Sequence, residues 1–496
     1  MTGANPPPRA TYGGWRRRRQ MGLLGLGTTQ TLILLGATAL VLLLAAVNIG
    51  LLLVLGGPLA VTVGLAAASW DGVPLLHMVA QHIRWRWAVT RGWHRVATAV
   101  LVEHPHAWQL PGVLAPLELV DVENGAGGRF GLVWDRRTGI MTATVRVAST
   151  STWLAGSDAD LWVASWGGWL AGLGYQPMVR WVTVTVDSAP DPGTTLADHV
   201  LGGLDLAAPQ LARAVVADLV AAAPAAAADV DTRVSISFEP RAAPSRPTTV
   251  LDAAAEVSRT LWGLESALAG CGVTVLGRAS APELAGAVRV AFDPHARGEV
   301  ARLLEGSAQD QQDLLRWADA GPVAAVESWD TYRHDGGLST SWVWREAPRQ
   351  QVHADVLARL VAPGPWPTRV SLLYRPLSAG AAARLLEQEV TAAAFRAGVR
   401  AKTGRDSTAR DAVDAEAAAR AAREEAQGAG VVLISLYVTV TVTDETDLPA
   451  AVADIEARAD SAKIRLRRAH GGQSAAFATT LPVGLCPPVL ATRWPR

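Results

Sequence analysis

Residues 21–70 read MGLLGLGTTQTLILLGATALVLLLAAVNIGLLLVLGGPLAVTVGLAAASW, a stretch without a single Asp, Glu, Lys or Arg. A helix needs about 20 apolar residues to cross a hydrocarbon core of about 30 Å, so this stretch is long enough to cross twice. We expect the spans at about residues 28–47 and 51–69, because residues 48–50, Asn-Ile-Gly, form a turn-competent interruption. The stretch therefore predicts a transmembrane hairpin.

Basic and aromatic residues flank the apolar stretch on both sides. They are Trp15, Arg16, Arg17, Arg18 and Arg19 before it, and Trp70, Arg84, Trp85, Arg86 and Trp87 after it. Basic segments stay in the cytoplasm and Trp gathers at the headgroup level of a bilayer. We therefore expect a multi-pass protein of the inner (cytoplasmic) membrane with both termini in the cytoplasm and lipid as one partner. A secretory signal peptide is the competing interpretation, but its apolar region is typically 7–15 residues long.

Composition limits the functions of the remaining chain. The 496 residues carry 45 basic and 45 acidic side chains, so the net charge is zero and direct nucleic-acid binding is not predicted. Contact of DNA with a local groove of arginine side chains is kept as an alternative. The two cysteines, Cys271 and Cys486, are too few for a disulfide framework or a zinc site built from four thiolates.

The order of predicted elements divides the chain and indicates an α+β fold. The divisions are a basic cytoplasmic N-terminus at 1–20, the transmembrane hairpin at 21–70, juxtamembrane basic and aromatic helices at 71–116, a first cytoplasmic α/β unit at 117–239, a second α+β unit at 248–485 and a tail at 486–496. In the second unit, His-Asp-Gly-Gly at 334–337 predicts a hairpin turn between two strands. A long Ala-, Arg- and Glu-rich helical stretch at 378–427 follows.

No motif for catalysis is present in the sequence. It contains no G-x-x-x-x-G-K-[ST], no H-E-x-x-H and no G-x-S-x-G, so we predict no catalytic residue, no cofactor, no metal site and no enzymatic activity. A membrane-tethered enzyme is kept as an alternative, with a site assembled from the separated residues Asp293, His295, His334 and Asp335.

Trp162, Trp166 and Trp169 stand at i, i+4 and i+7 in a predicted helix and form one stripe. Such a stripe is more often part of a core. The functional interpretation is a partner-binding surface, because exposed aromatic patches mark interfaces.

Several stretches resemble known secretion proteins. Residues 11–19, TYGGWRRRR, and 22–27, GLLGLG, resemble the actinobacterial integral membrane proteins encoded beside type IV secretion ATPases in conjugative elements, and the hairpin is similar to their small PrgI-like subunit. Residues 329–332, WDTY, and 342–348, WVWREAP, look like a hairpin in the amino-terminal domain of the secretion ATPase. Residues 472–484, GQSAAFATTLPVG, are similar to the segment with which that domain ends.

The resemblance implies a membrane subunit fused to the non-catalytic half of an ATPase, without the motor domain. We therefore expect a non-enzymatic scaffold of a type IV secretion or conjugative DNA-transfer apparatus, which docks a separate ATPase and other secretion subunits at the cytoplasmic face. Self-association is left open. The alternative within secretion is a type VII membrane subunit, which also carries two amino-terminal spans.

Overall fold

The computed structural model describes residues 10–15, 28–47, 49–70, 73–98, 108–125, 127–149, 158–191, 199–205, 207–222, 228–307, 311, 313–402 and 409–493. In these parts the fold is mixed α+β and is built around one large antiparallel sheet. The predicted fold class is therefore confirmed at this level. The predicted basic stretch Arg16, Arg17, Arg18 and Arg19 lies outside the described residues.

Two apolar helices open the described fold, α1 (Thr28–Val47) and α2 (Ile49–Ala67). The Gln30 side-chain amide donates to the carbonyl oxygen of Ala66 at 2.5 Å, which places the start of α1 beside the end of α2. Among the described residues, only Gln30–Val47 is both long and apolar enough to cross a membrane. The corresponding stretch of α2, Leu55–Ala67, is shorter than a full span. The described residues therefore contain one candidate membrane span, whereas the sequence predicted two.

The juxtamembrane region is less helical than predicted. A two-stranded ribbon, β1 (Ser69–Trp70) and β2 (Val73–Pro74), leads into α3 (Leu75–Thr90). Gly92, with φ of +76°, follows the last turn, and a strand, β3 (Arg95–Ala97), comes next. Among the described residues of the predicted juxtamembrane helices, α3 ends at Thr90, because a left-handed glycine follows it, and β3 comes next.

Thirteen strands form the large sheet within the described residues, and all their pairings are antiparallel. Besides β3 they are β4 (Leu117–Glu123), β5 (Arg129–Asp135), β6 (Met141–Ser149), β7 (Val179–Pro190), β8 (Ala228–Phe238), β9 (Val273–Arg278), β10 (Ala324–Glu327), β11 (Tyr332–His334), β12 (Gly337–Glu346), β13 (Thr368–Pro376), β14 (Val432–Val442) and β15 (Arg465–Arg468). Their order is β3-β10-β11-β12-β14-β13-β7-β8-β6-β5-β4, with β15 also on β12 and β9 also on β6.

Further helices precede, connect and follow the strands. They are α4 (Asp158–Leu173), α5 (Gln210–Ala222), α6 (Val250–Leu268), α7 (Ala281–Phe292), α8 (Arg297–Glu305), α9 (Ala358–Val361), α10 (Ala379–Lys402), α11 (Ala409–Ala426), α12 (Leu448–Ser461), α13 (Gln473–Thr479) and α14 (Pro487–Arg493). Side-chain caps explain two of the starts: Thr249 accepts from the Asp252 amide, and Ser280 and Glu283 form a capping box. The predicted helical stretch 378–427 thus contains two helices, α10 and α11. The predicted tail 486–496 begins at a buried Cys486 and contains α14.

The two faces of the sheet differ in chemistry. Alternate residues of β6, β8, β13 and β14 are apolar and pack against α4, α6 and α12 in the main cores. The intervening residues on the opposite face are mostly Ser and Thr, and they are buried as well. Strand alternation with a buried polar face requires a second layer on that face.

The two predicted units, 117–239 and 248–485, share this one sheet. β7 of the first pairs with β13 of the second from Val182–Tyr374 to Ser188–Thr368, and β9 of the second pairs with β6 of the first. The structure therefore does not separate the two ranges in space, and their division stays a prediction.

The predicted turn at 334–337 is confirmed, with His334 opposite Gly337 and Asp335 at φ of +24°. Its first strand is interrupted after Glu327, so the hairpin is a three-stranded meander.

Candidate functional site

The inner face of α3 is fixed to the body of the protein by aromatic contacts. The centroid of the Trp329 ring, in the loop between β10 and β11, lies 4.8 Å from His82 and 5.4 Å from Trp85, both edge-on. On its other side Trp329 stacks on His470, with centroids 5.7 Å apart. The Gln81 amide donates to the His470 carbonyl oxygen at 2.5 Å. The segment that follows the apolar helices is therefore held against the sheet.

The segment that precedes the apolar helices is held there too. Tyr12 exchanges backbone hydrogen bonds with Val352 at 2.7 and 2.8 Å, and its hydroxyl donates to Asp160 at 2.9 Å. The Trp15 ring lies edge-on to Trp344 of β12, with centroids 5.5 Å apart. Both flanks of the apolar helices thus contact the body, and the tryptophan contacts of both flanks fall between Trp329 and Trp344.

A cleft of about 280 Å³ lies between α3 and the sheet. Its lining combines apolar side chains with the cationic groups Arg467 and Arg468 and with His470. Arg468 is paired with Glu456 at 3.0 Å, so part of this positive charge is balanced. The cleft suits an amphipathic group rather than a small anion, since its walls are largely apolar.

A C-terminal strap, defined as residues 473–486, crosses the polar face of the sheet. We call that face the hydroxyl face. It comprises Thr142, Thr144, Thr183, Thr185, Ser235, Ser237, Ser339, Ser341, Ser371, Thr439 and Thr441, each at most 2% exposed. Neighbouring strands pair these hydroxyls directly, as in Thr144–Ser235 at 2.8 Å and Thr185–Ser371 at 2.8 Å. Such pairs satisfy polar groups that would otherwise be costly to bury.

The sheet binds the strap mainly through backbone groups of the strap and through the side-chain amide of Gln473. Gln473 accepts from the Ser341 amide at 2.8 Å and donates to the Ser341 carbonyl oxygen at 3.3 Å. The Trp181 indole donates to the Gly484 carbonyl oxygen at 2.9 Å. Gly484 has φ of +71°, and a Cβ there would collide with Thr142 and Ser237. Only glycine permits this approach of the strap to the sheet.

A buried charge cluster lies beneath the strap, where β7 and β13 meet. Asp187 and Arg369 are cross-strand partners, and Arg297 at the start of α8 pairs with Asp187 at 3.2 Å. Burial opposes ionisation of Asp187, but Arg297, Arg369 and Arg233 outweigh it and hold its pKa below the ordinary value. Burial lowers the pKa of Arg369 to about 10, against the opposing attraction of Asp187.

Arg369 also touches the strap. Its Nε donates to the Thr480 hydroxyl at 3.4 Å, and its guanidinium lies 4.8 Å from the centroid of the Phe477 ring. Its Nη2 has no hydrogen-bond partner among the described residues. The cluster therefore links both halves of the sheet to the strap.

The structure brings together the four residues named for an enzymatic site. Asp293 and His295 lie beside the turn at Gly336, and Asp335 follows His334 in that turn. Arg289 pairs with Asp293 at 2.9 Å and with Asp335 at 2.8 Å. Asp335 also accepts from the amides of Val323 and Ala324. Both carboxylates are therefore engaged in holding the turn.

His334 is the buried member of this group. Its Nδ1–H donates to the Phe292 carbonyl oxygen at 2.6 Å, so its Nε2 accepts from the Ser339 hydroxyl at 2.8 Å. Burial lowers the pKa of His334 to about 4 and keeps the ring neutral. Within the described residues, no group of three or more His, Cys, Asp or Glu could hold a metal ion.

The predicted tryptophan stripe does not form one open surface. Trp169 is 8% exposed, and its indole donates to the Leu264 carbonyl oxygen at 3.3 Å. Trp166 is half-buried between Trp169 and Tyr374. Trp162 lies directly over Gly272. Trp169 therefore belongs to the core, while Trp162 and Trp166 are partly buried, and the partner surface stays a prediction.

The predicted membrane-flanking residues have different surroundings. Arg84, Arg86 and Trp87 are exposed on α3, whereas Trp85 faces Trp329. Trp15 is 37% exposed and packs on Trp344. For Trp70 the structure describes the backbone, in β1, and not the side chain.

Sequence reasoning missed the hydroxyl face, the Asp187–Arg369 pair and the attachment of Tyr12 to Asp160. The sequence does contain a signal for the hydroxyl face. In β14 the residues Tyr-Val-Thr-Val-Thr-Val at 437–442 alternate apolar residues with Thr and carry no charge. A strand face of hydroxyls without charged residues suits burial better than solvent.

No protein-family model matches the chain. No curated protein matches it either.

Proposed function

We propose that this protein is a non-enzymatic inner-membrane scaffold of a type IV secretion or conjugative DNA-transfer apparatus, which docks a separate ATPase at the cytoplasmic face. One observation carries the proposal: the two stretches that resemble the amino-terminal domain of the secretion ATPase form one structural unit. The Tyr332 ring of the hairpin stretch lies edge-on to the Phe477 ring of the C-terminal stretch, with centroids 5.3 Å apart. Ser341, which directly precedes the 342–348 stretch, also pairs twice with Gln473. The Gly471 amide also donates to the Trp329 carbonyl oxygen at 2.7 Å. Segments about 130 residues apart therefore meet as parts of one domain would.

The arrangement of the apolar helices supports an anchor with both flanks on the cytoplasmic side. Tyr12 and Trp15 precede α1, and Trp85 follows α2, yet all three contact the same body. An even number of crossings returns the chain to its starting side. Two crossings by α1 and α2, antiparallel through the Gln30–Ala66 contact, satisfy this condition. We therefore propose a multi-pass anchor.

The scaffold role is tested in the native host by following a type IV secretion ATPase of that host. Deleting the gene should shift that ATPase from the membrane fraction to the soluble fraction and abolish DNA transfer. Re-expression of the full chain should restore both. An ATPase that stays at the membrane, together with unchanged transfer, would contradict the proposal.

A second candidate is a membrane-tethered enzyme, because Asp293, His295, His334 and Asp335 do lie in one region. Hydrolase and nucleotidase turnover of the purified full chain decides this. Reproducible turnover that is lost in Asp335→Ala, but kept in the exposed variant Asp121→Ala, would favour the enzyme. The engagement of both carboxylates by Arg289 favours the scaffold.

A further inference from the structure

Helix α3 has two different faces. Its inner face presents Met78, Gln81, His82 and Trp85 to the body and to the cleft. Its outer face presents Val79, Ile83 and Trp87, which are 41%, 62% and 48% exposed. These three residues are spaced i, i+4 and i+8, so they form a single apolar stripe along the helix. Nothing in the described structure covers this stripe.

Basic residues border the stripe on both sides. At 100° per residue, Arg86 lies about 60° to one side of Ile83, and Arg84 and Arg91 lie about 80–100° to the other. All three arginines are exposed. Residues 75–98 contain no Asp or Glu, so this segment carries a single sign of charge.

Aromatic residues extend the stripe beyond the helix. Trp93, 63% exposed, packs edge-on against Trp87 with centroids 4.9 Å apart. The Arg91 guanidinium lies 4.4 Å from the centroid of the Trp87 ring. Paired indoles under a guanidinium present apolar area with cationic groups at its edge. This combination is favoured where a bilayer passes from hydrocarbon to headgroups.

The position of α3 in the chain identifies what meets this face. The helix begins at Leu75, and α2 ends at Ala67, with only the β1–β2 ribbon between them. A helix this close to a membrane anchor lies at the membrane surface. The anionic phosphates of a lipid surface complement its arginines, and the acyl boundary complements its apolar stripe.

We propose that α3 is an in-plane membrane helix that binds anionic lipid, with Val79, Ile83, Trp87 and Trp93 at the acyl boundary and Arg84, Arg86 and Arg91 on lipid phosphates. Because Trp85 and His82 fix the inner face to Trp329, lipid contact also sets the orientation of the body relative to the membrane. This inference rests on the proposed membrane anchor and not on the role in secretion.

The test measures the depth of α3 in the full chain, reconstituted in nanodiscs. A fluorophore is attached through Ile83→Cys, and its quenching by brominated acyl chains is compared in phosphatidylcholine and in phosphatidylcholine with phosphatidylglycerol. The native Cys271 and Cys486 are 8% and 3% exposed, so the label reacts at the introduced thiol. Leu251→Cys on α6, 75% exposed, is the matched control, and Leu35→Cys on α1 reports the anchor.

The label at 83 should be quenched in the anionic nanodiscs, and the label at 251 should not. Replacing Arg84, Arg86 and Arg91 together by Gln should weaken the quenching at 83 several-fold, since each cation near an anionic surface strengthens binding by roughly fivefold. Equal quenching in neutral and anionic lipid, unaffected by the triple variant, would overturn the selectivity for anionic lipid.

Two further outcomes would overturn the proposal. The first is quenching at 35 without quenching at 83, which would indicate that the apolar stripe of α3 binds a second copy of the chain or another protein instead of lipid. The second is the absence of quenching at both positions, which would remove the anchor and the in-plane helix together. The assay contains no ATPase and no DNA transfer, so its failure is distinguishable from failure of the scaffold role.

Discussion

Arg369 of β13 and Asp187 of β7 stand directly opposite each other at the seam where the two halves of the sheet join. Asp187 is 6% exposed and Arg369 is 3% exposed, so solvent screens their charges little. Arg297 adds a second cation to Asp187 at 3.2 Å. Asp187 thus pairs with the partly buried Arg297 and offsets the charge of the buried Arg369, and Asp229 also pairs with Arg297, at 2.7 Å.

Asp187→Asn should destabilise the fold strongly, because it removes the carboxylate that pairs with Arg297 and whose charge offsets that of the buried Arg369. Removing one partner of a buried pair costs about 3–5 kcal/mol, and thermal unfolding of the full chain in detergent measures the loss. The control is Asp121→Asn at the exposed pair with Arg129, which should cost about 1 kcal/mol or less. Equal effects of the two variants would contradict the importance of the seam.

The same pair predicts a response to acid. The pKa of Asp187 is depressed in the folded state, so its stabilisation is present above the ordinary carboxylate pKa of about 4 and is lost as the pH falls below that value. Unfolding midpoints of the wild type should therefore drop below pH 4 more steeply than those of Asp187→Asn. Parallel curves for the two proteins would show that Asp187 titrates normally.

His334 predicts a second pH window. Its folded pKa of about 4 lies below the unfolded value of about 6.5, so protonation favours the unfolded chain between these values. Stability should be complete above about pH 6.5 and should fall by about 3 kcal/mol as the pH approaches 4. His334→Gln should flatten this dependence even where it lowers stability, whereas the exposed control His353→Gln should retain it. An unchanged slope in His334→Gln would show that another group is responsible.

Individual helices and turns could be predicted from the residues that they contain. The turn residues at 334–337 predict a hairpin turn that the structure contains. The apolar stretch likewise predicts helix α1. In each case, periodicity and turn chemistry act over a few residues, so neighbouring positions carry the whole signal.

The pairing of the two halves of the sheet and the burial of the hydroxyl face could not be predicted from local sequence. Thr142 and Thr144 belong to the polar side of an alternating strand, a pattern that is typical of a solvent-facing surface. Their burial depends on Gly484 and Pro482, more than 300 residues later, and the Thr144 hydroxyl donates to the Pro482 carbonyl oxygen at 3.1 Å. Pairing of β7 with β13 depends in the same way on contacts that no local pattern encodes.

Gly484→Ala should loosen the strap, because a Cβ at this position would collide with two hydroxyl-bearing side chains and the backbone is left-handed. Limited proteolysis should then remove the C-terminal residues faster than in the wild type. Gly428→Ala separates the two causes, since Gly428 has φ of +98° but open space around it. That control should cost only about 1 kcal/mol and should leave the strap protected. Equal protease sensitivity in both variants would assign the effect to backbone strain alone.

Trp329→Ala should release α3 from the body. The Trp329 ring contacts His82, Trp85 and His470, so the substitution removes the aromatic surface on which the inner face of the helix rests. Hydrogen exchange of the α3 backbone amides in the detergent-solubilised full chain should become faster, while exchange in α7 should not change, because local opening depends on local packing. Trp262→Ala on α6 is the matched control, since Trp262 is 65% exposed. Unchanged protection of α3 in Trp329→Ala would show that α3 is held by the membrane-proximal helices rather than by the body. The orientation of the body would then not be coupled to α3.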